Sequence, residues 1–370
     1  MLIQKIVITG GPCAGKTTAM SWIQNAFSAR GYRVLFIPET ATEFISGGVA
    51  PWTCGTNLEY QKVQMALQIK KEELFMQAAQ TMGEQAQKIL IVCDRGAMDN
   101  KAYMTQEEFD EVLRYLDLHE IELRDNYDGV FHLVTAANGA LEAYSSANNA
   151  ARYETAEEAV KLDDRLIAAW SGHPHMKIID NSTGFDRKMH RLLEEISRLL
   201  GAEDIYADER KFLIRYPDTA WLESLPGCRK VEIIQTYLQP TDGGDTRIRQ
   251  RGEDGHFLYY EMTKRTTPEG KRVETERRLS QDEYLQLMMN ADTSRRQIRK
   301  TRYVITGKSQ AIEVDLYPFW SRQAIAKISL SDRNATAQFP PEIHVLREVT
   351  GQEAYRNSSL AMRPPEEDEA

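Results

Sequence analysis

Residues 5–18, KIVITGGPCAGKTT, constrain the fold more than any other stretch of the chain. A short apolar run, Ile6, Val7 and Ile8, stops at a glycine pair, and helical spacing resumes after Gly15. That order is strand, phosphate loop, helix. Gly10, Gly15, Lys16 and Thr17 satisfy G-x-x-x-x-G-K-[ST], in which glycines let the loop wrap closely and its backbone N–H groups point at phosphate oxygens. The loop positions Gly10, Gly11, Pro12, Cys13, Ala14 and Gly15, with Thr18 behind them, are the candidate phosphate cradle. Lys16 reaches the outer phosphates and the Thr17 hydroxyl ligates magnesium.

The chain has 370 residues, 42% hydrophobic and 27% charged, which is enough for two ordinary domains with their own cores. Its longest apolar runs are strand-sized, so no membrane span is expected, and the N-terminus enters the loop strand without a leader pattern. Four cysteines are scattered without C-x-x-C spacing, as expected of reduced thiols in a cytoplasm. A formal charge of −9 argues against a general nucleic-acid binder.

After the loop, Thr18 to Arg30 has helical apolar spacing and Val34 to Ile37 reads as a strand ending at Pro38-Glu39. Carboxyl ends of parallel strands are where open α/β sheets bind ligands. Glu39 is therefore a candidate for the acceptor pocket or the magnesium shell, with an N-cap or surface acid as the plain alternative. A long helix from Leu58 to Met82 leads to KILIVCDRG, a strand ending in Asp94, Arg95 and Gly96. An acid there suits magnesium, and Arg95 suits phosphoryl charge; a helix cap is the alternative for Asp94. Ala136 to Ala151 lacks core periodicity and reads as a mobile lid, followed by a helix from Tyr153 to Trp170. Arg152 and Arg165 on it are candidate lid arginines. Met176 to Asp180 is a last strand, with Asn181 beyond it as a candidate contact to the nucleotide base.

GGPCAGKTT, PETATEF, CDRGAMDNKAYM and KIIDNSTGF together resemble the NadR-type AAA family of P-loop proteins, relatives of ribosylnicotinamide, nucleoside and nucleotide kinases. The resemblance covers roughly residues 1–200. It implies phosphate and magnesium binding by Gly15, Lys16, Thr17 and Thr18, a metal or acceptor role for Asp94, and Asn181 near the base.

From about Gly201 the pattern changes to period-two alternation, which sets the expected domains at 1–202 and 203–362, with an acidic, disordered tail at 363–370. Charges spaced by two fall on one face of each strand: Glu209 and Lys211; Arg247, Arg249 and Arg251; Arg272, Glu274 and Glu276; Lys300 and Arg302; Glu313 and Asp315. A solvated outer face explains one such strand. Five or more indicate a curved sheet whose ionic face lines a cavity. ERKFLI, QTYL, RIRQR, EMTKR, RVETERRLS, IRKTRY and IEVDLY resemble, in order and spacing, the CYTH family of triphosphate tunnel metalloenzymes. That resemblance implies an eight-stranded antiparallel tunnel with triphosphate held by Lys211, Arg247, Arg249, Lys264, Lys300 and Arg302; Arg251 and Lys327, expected on the same face, are further candidate phosphate contacts. It also implies a divalent metal held by Glu209, Glu274, Glu276, Glu313 and Asp315. Two departures are visible: the opening acid pair is reduced to Glu209, and Lys327 stands where a metal-binding acid is expected.

The expected fold is thus a three-layer α/β P-loop domain with a parallel sheet, followed by an α+β antiparallel tunnel domain. The expected activity is a magnesium-dependent phosphotransferase or NTPase using ATP or GTP on a nucleoside, nucleotide or similar metabolite. The tunnel would bind a triphosphate or nucleotide. Two alternatives stand beside it: the tunnel as a triphosphatase carrying the main activity, and a non-enzymatic nucleotide-gated switch.

Overall fold

The computed structural model describes residues 2–82, 88–140, 155–201, 209–240, 245–266, 272–307, 310–329 and 337–367. The chain divides into two compact units, Met1–Leu200 and Gly201–Ala370.

The first unit contains five parallel strands in the order β2-β3-β1-β4-β5: β1 (Leu2–Thr9), β2 (Arg33–Ile37), β3 (Lys88–Asp94), β4 (Gly129–Leu133) and β5 (Met176–Ile179). Around them lie α1 (Lys16–Ser28), α2 (Thr40–Ser46), α3 (Asn57–Thr81), α4 (Gln106–Leu116), α5 (Glu120–Arg124), α6 (Ala156–Trp170) and α7 (Phe185–Leu199). Alternation in the strands builds the layers. Val7, Ile89 and Ile91 pack on one side with Met65 of α3 and Phe109 of α4, while Ile6, Ile8, Leu90 and Val92 pack on the other with Ile23 of α1 and Leu192 of α7. Burying both faces is what makes β1 and β3 read as continuous apolar runs. The expected lid falls mostly on residues 141–154, outside the described residues, as does Arg152.

His173, in the turn between α6 and β5, is 5% exposed. Its Nδ1 accepts the His175 amide at 3.1 Å, so its Nε2 carries the proton and donates to the Tyr127 carbonyl at 3.0 Å. Burial lowers its pKa to about 3, against the opposing charge of Asp125. In the unfolded chain the ring takes a proton near its ordinary value of about 6.5. The unfolded state therefore binds more protons between those values, and stability falls as pH falls. The first unit should lose about 2 kcal/mol between pH 7 and pH 5 from this group. Urea unfolding at the two pH values, compared with His173→Asn, tests this; an unchanged slope in the variant would assign it to other groups.

The second unit is a nine-stranded antiparallel sheet in the order β10-β9-β8-β7-β11-β12-β13-β6-β14. Its strands are β6 (Glu209–Arg215), β7 (Arg229–Tyr237), β8 (Asp245–Glu253), β9 (His256–Thr266), β10 (Arg272–Leu279), β11 (Ile298–Thr306), β12 (Ala311–Leu316), β13 (Gln323–Ser329) and β14 (Val345–Glu348). The short helices are α8 (Thr219–Ser224), α9 (Gln281–Met288) and α10 (Asn357–Met362). The strand count corrects the expected eight, because β14 adds to the edge of β6 with Val345 opposite Ile214. One face is apolar, with Phe212, Ile214, Ile312, Val314, Ala326 and Ile328 in one core. Of the expected tail, residues 363–367 are described and bond to the rest of the unit, and 368–370 lie outside the described residues. The Glu367 carboxylate accepts from Arg322 N at 2.9 Å and Nε at 3.1 Å, and Trp320 Nε1 donates to the Pro365 carbonyl at 3.0 Å. Among the described residues no helix is long and apolar enough to cross a membrane.

Candidate functional site

The phosphate loop sits between β1 and α1 and is fixed from below. Gly10 has φ +143°, and a Cβ there would lie 2.1 Å from the Leu133 carbonyl oxygen, so only glycine lets the loop cross β4. Asp163 of α6 accepts the Gly11 amide at 2.7 Å and the Thr135 amide at 3.2 Å, with His132 Nε2 3.0 Å away. Lys188 of α7 donates to the Ala14 carbonyl at 3.1 Å, the Val134 carbonyl at 2.7 Å and Asn181 Oδ1 at 2.8 Å. Sequence reasoning missed Asp163 and Lys188, which carry no local signature.

Asn181, the candidate base contact, is bonded within the protein. Its amide donates to the Thr135 and Asn138 carbonyls at 2.8 and 2.7 Å while its oxygen takes Lys188, so the side chain ties the loop after β4. Arg165 lies exposed on α6 and joins no polar cluster described below.

Lys16 donates to the Gly10 and Gly11 carbonyls at 2.9 and 3.2 Å, closing the loop on itself. Burial, and then Arg95, lower its pKa to about 8; Asp94, Glu39 and Asp99 oppose them. These five groups therefore share one crevice at the carboxyl ends of β1, β2 and β3. Glu39 holds the N-cap position of α2 without capping it. Its carboxylate instead pairs with Arg95 Nε at 2.6 Å and accepts the Thr42 hydroxyl at 2.7 Å. Burial disfavours its charge, yet Arg95 and Thr42 outweigh burial and hold the carboxyl below its ordinary value. Asp94 moves the other way: burial raises its pKa, Lys16 opposes, and Glu39 adds to the rise. Two neighbouring carboxyls are thus driven apart.

Asp94 is no helix cap, since Asp99 accepts the Gly96 amide at 2.7 Å at the head of the following 3₁₀ turn. One Asp94 oxygen, Oδ1, is buried without a partner. An orphaned carboxylate oxygen fits a hard cation, which prefers oxygen donors, and Thr17 beside Lys16 is exposed. Arg95 has φ +65°, and its amide donates to the Ile8 carbonyl at 3.0 Å. That bond locks the turn that delivers Arg95 to Glu39.

Beside Glu39 and Arg95 opens a cavity of about 410 Å³, lined by α2, α3 and the 3₁₀ turn. Its α3 wall is made of amides: Gln61, Gln64 and Gln68 recur on one buried face. Gln64 Nε2 donates to Asn100 Oδ1 at 2.7 Å, and Asn100 Nδ2 to Gln68 Oε1 at 3.0 Å. Glutamines at helical spacing are the trace this wall leaves in the sequence, and polar residues so spaced ordinarily face water.

In the second unit the register gathers the expected charges into one row. Arg302 stands opposite Asp315, Glu313 opposite Lys327, and Lys327 opposite Lys211. Arg247, Arg249 and Arg251 stand opposite Tyr237, Gln235 and Ile233, and Lys264 opposite Glu274. Glu209 and Glu274 hold register positions in this row, and their side chains lie outside the described residues. Asp315 is fully buried and takes Lys300 Nζ at 2.6 Å and Arg302 Nε at 2.7 Å. Burial works against its charge, but Arg302 and Lys300 prevail and hold it well below the carboxylate range. Glu313 pairs with Arg302 at 2.6 Å. Both acids thus pair with cations of the same row. Among the described residues no group of three or more His, Cys, Asp or Glu is arranged to hold a metal. Arg249 is crowded instead: its charged form is disfavoured by burial, relieved by Glu276, and further disfavoured by Arg247, Arg302 and Arg251.

No curated protein matches the chain. Similar solved structures include the inorganic triphosphatase NE1496, 25% identical over 43% of this chain and 95% of that one, with a TM-score of 0.32. A structure of the hypothetical protein NE1496 is 26% identical over 42% and 98%, also at 0.32. PH1819 from Pyrococcus horikoshii OT3 is 18% identical over 32% and 77%, at 0.23. Residues 5–188, which carry the phosphate loop, Glu39, Asp94, Arg95 and the cavity, match the family model described as an AAA domain.

Proposed function

We propose that the first unit transfers the terminal phosphoryl group of ATP or GTP to a hydroxyl of a small acceptor, a nucleoside, nucleotide or similar metabolite, held in the cavity beside Glu39. The observation that carries this reading is the grouping of Lys16, Asp94, Glu39 and Arg95 next to that cavity. An ATPase needs water there, whereas an acceptor enzyme needs a built chamber. The acceptor oxygen attacks the γ-phosphorus, the bond to the β-phosphate oxygen breaks, and the nucleoside diphosphate leaves. Glu39, ionised through Arg95, accepts the hydroxyl proton. Lys16 and Arg95 neutralise charge on the phosphoryl oxygens. Thr17 and Asp94 would hold magnesium, which would supply divalent charge to the phosphates. Incubation with either triphosphate, magnesium and a panel of nucleosides and nucleotides, read by mass spectrometry, tests the reading; triphosphate hydrolysis with no phosphorylated acceptor would refute it.

Asp94→Asn should raise the magnesium concentration for half-maximal activity by about tenfold or more, and affect nucleotide binding without metal far less. An unchanged metal requirement would return Asp94 to a structural role.

For the second unit we infer binding of a triphosphate or nucleotide on the ionic face, supported by the crowding of Arg249 among other arginines, which an anion relieves. Calorimetry with tripolyphosphate, with and without EDTA, tests this, and no heat of binding in either buffer would remove it.

A further inference from the structure

Two donors reach the underside of the phosphate loop from parts of the chain far from it in sequence. Lys188 of α7 is 2% exposed and donates to the Ala14 carbonyl at 3.1 Å. Thr135, just after β4, donates through Oγ1 to the Pro12 carbonyl at 2.5 Å. Among the described residues no peptide bond is cis, and in a trans peptide the C=O and the N–H point in opposite directions. A carbonyl drawn down by Lys188 therefore sets the Gly15 N–H on the upper side of the loop, and Thr135 does the same for the Cys13 N–H. Cys13 and Gly15 have φ of +56° and +94°, with Ala14 between them outside the left-handed region. That alternation gathers backbone amides into a concavity suited to an anion.

Lys188 brings more than a hydrogen bond. Its three acceptors are the Ala14 and Val134 carbonyls and Asn181 Oδ1, none of which carries a charge. A buried ammonium bonded only to neutral oxygens is costly, and an anion on the other side of the loop offsets that cost. Burial lowers its pKa to about 8; Asp163 of α6 opposes, Arg191 of α7 adds to the fall, Asp180 after β5 opposes and Lys16 adds again. Lys16 and Lys188 thus act on each other's charge, both bonded to carbonyls of the one loop. Phosphate groups in the loop would relieve the two together.

We propose that Lys188 is a positioning residue for nucleotide binding: a buried cation that, with Thr135, presets the amides of the empty loop and adds its charge to the attraction for a triphosphate it does not touch. This rests on the phosphate-loop part of the reading above and not on the choice of acceptor.

The test is calorimetry of ATP and of GTP, each with magnesium, on the full chain. The heat that Lys16→Ala abolishes belongs to the phosphate loop and is thereby separated from binding by the second unit. Loop affinity in Lys188→Met should fall about tenfold or more at pH 7, the loss expected for one charge-assisted bond. Raising the pH to about 9 should weaken the parent about threefold or more beyond any change in Lys188→Met, because only the parent has the Lys188 proton to lose. A residue that merely fills space would not give that difference. Should Lys188→Met fail to fold, Thr135→Val, which keeps the shape and drops the hydroxyl, is the second variant, expected to bind about threefold or more weakly. Loop affinity within about twofold of the parent in the variant that folds, or one pH profile shared by the parent and Lys188→Met, would overturn the proposal and leave phosphoryl transfer standing. A parent with no heat sensitive to Lys16→Ala would remove the loop reading and this proposal together.

Discussion

Lys16→Ala is expected to lower phosphoryl transfer or hydrolysis by the first unit about a hundredfold or more while both units stay folded. A charged contact realised on the transferring phosphoryl group is typically worth about 3–4 kcal/mol. In the structure the ammonium is spent on the Gly10 and Gly11 carbonyls of its own loop, at 2.9 and 3.2 Å. Those bonds are local, and β1 beneath them is held by its ladders with β3 and β4. The fold should therefore survive the loss. Steady-state turnover alongside the melting temperature separates the two effects. Turnover within tenfold of the parent would sink the assignment of the loop, and a collapse in melting temperature would make any loss uninformative, for which Lys16→Met, keeping the stem, is the second variant.

Asp315→Ala should destabilise the second unit by about 3–5 kcal/mol, the usual penalty for removing one partner of a buried ion pair. Asp315 is fully buried under Lys300 and Arg302, both of which bond its carboxylate. Without it, two cations remain beside Lys327, which already acts on Asp315 electrostatically. Tripolyphosphate should then protect the variant against urea more than it protects the parent, because an anion replaces the missing charge. A loss under about 1 kcal/mol would mean that solvent reaches the row and screens it.

The parallel sheet and its loop were legible because their signals are local: apolar runs, a glycine pair, and an acid at a strand end. Glu39 was legible only as a set of alternatives. What draws it away from the N-cap is Arg95, which reaches it from another strand at 2.6 Å. The bonds of Asn181 were illegible for the same reason, since its carbonyl partners are 43–47 residues away in sequence. Gln61, Gln64 and Gln68 were illegible because polar residues at helical spacing ordinarily face water, and only the 3₁₀ turn packed over them makes them a chamber wall. The ionic row of the second unit was readable strand by strand from period two. The pairing of acids with cations within it was not, because it depends on which strands are neighbours, as with Asp315 of β12 and Arg302 of β11.

The position of β6 in that sheet bears on how the second unit comes into being. β6 is its first strand, yet it is bonded on one side to β13 and on the other to β14, with Arg210 and Glu348 joined across 138 residues. Nothing synthesised soon after β6 can satisfy its edges. Until the ribosome has released β13 and β14, β6 is an open edge bearing Phe212, Leu213 and Ile214, the kind of segment that pairs with the wrong chain. Pairings this distant in sequence form slowly. The second unit should therefore complete its fold only after nearly all of it has emerged, and the yield of soluble protein should depend on temperature and chaperone supply during that interval.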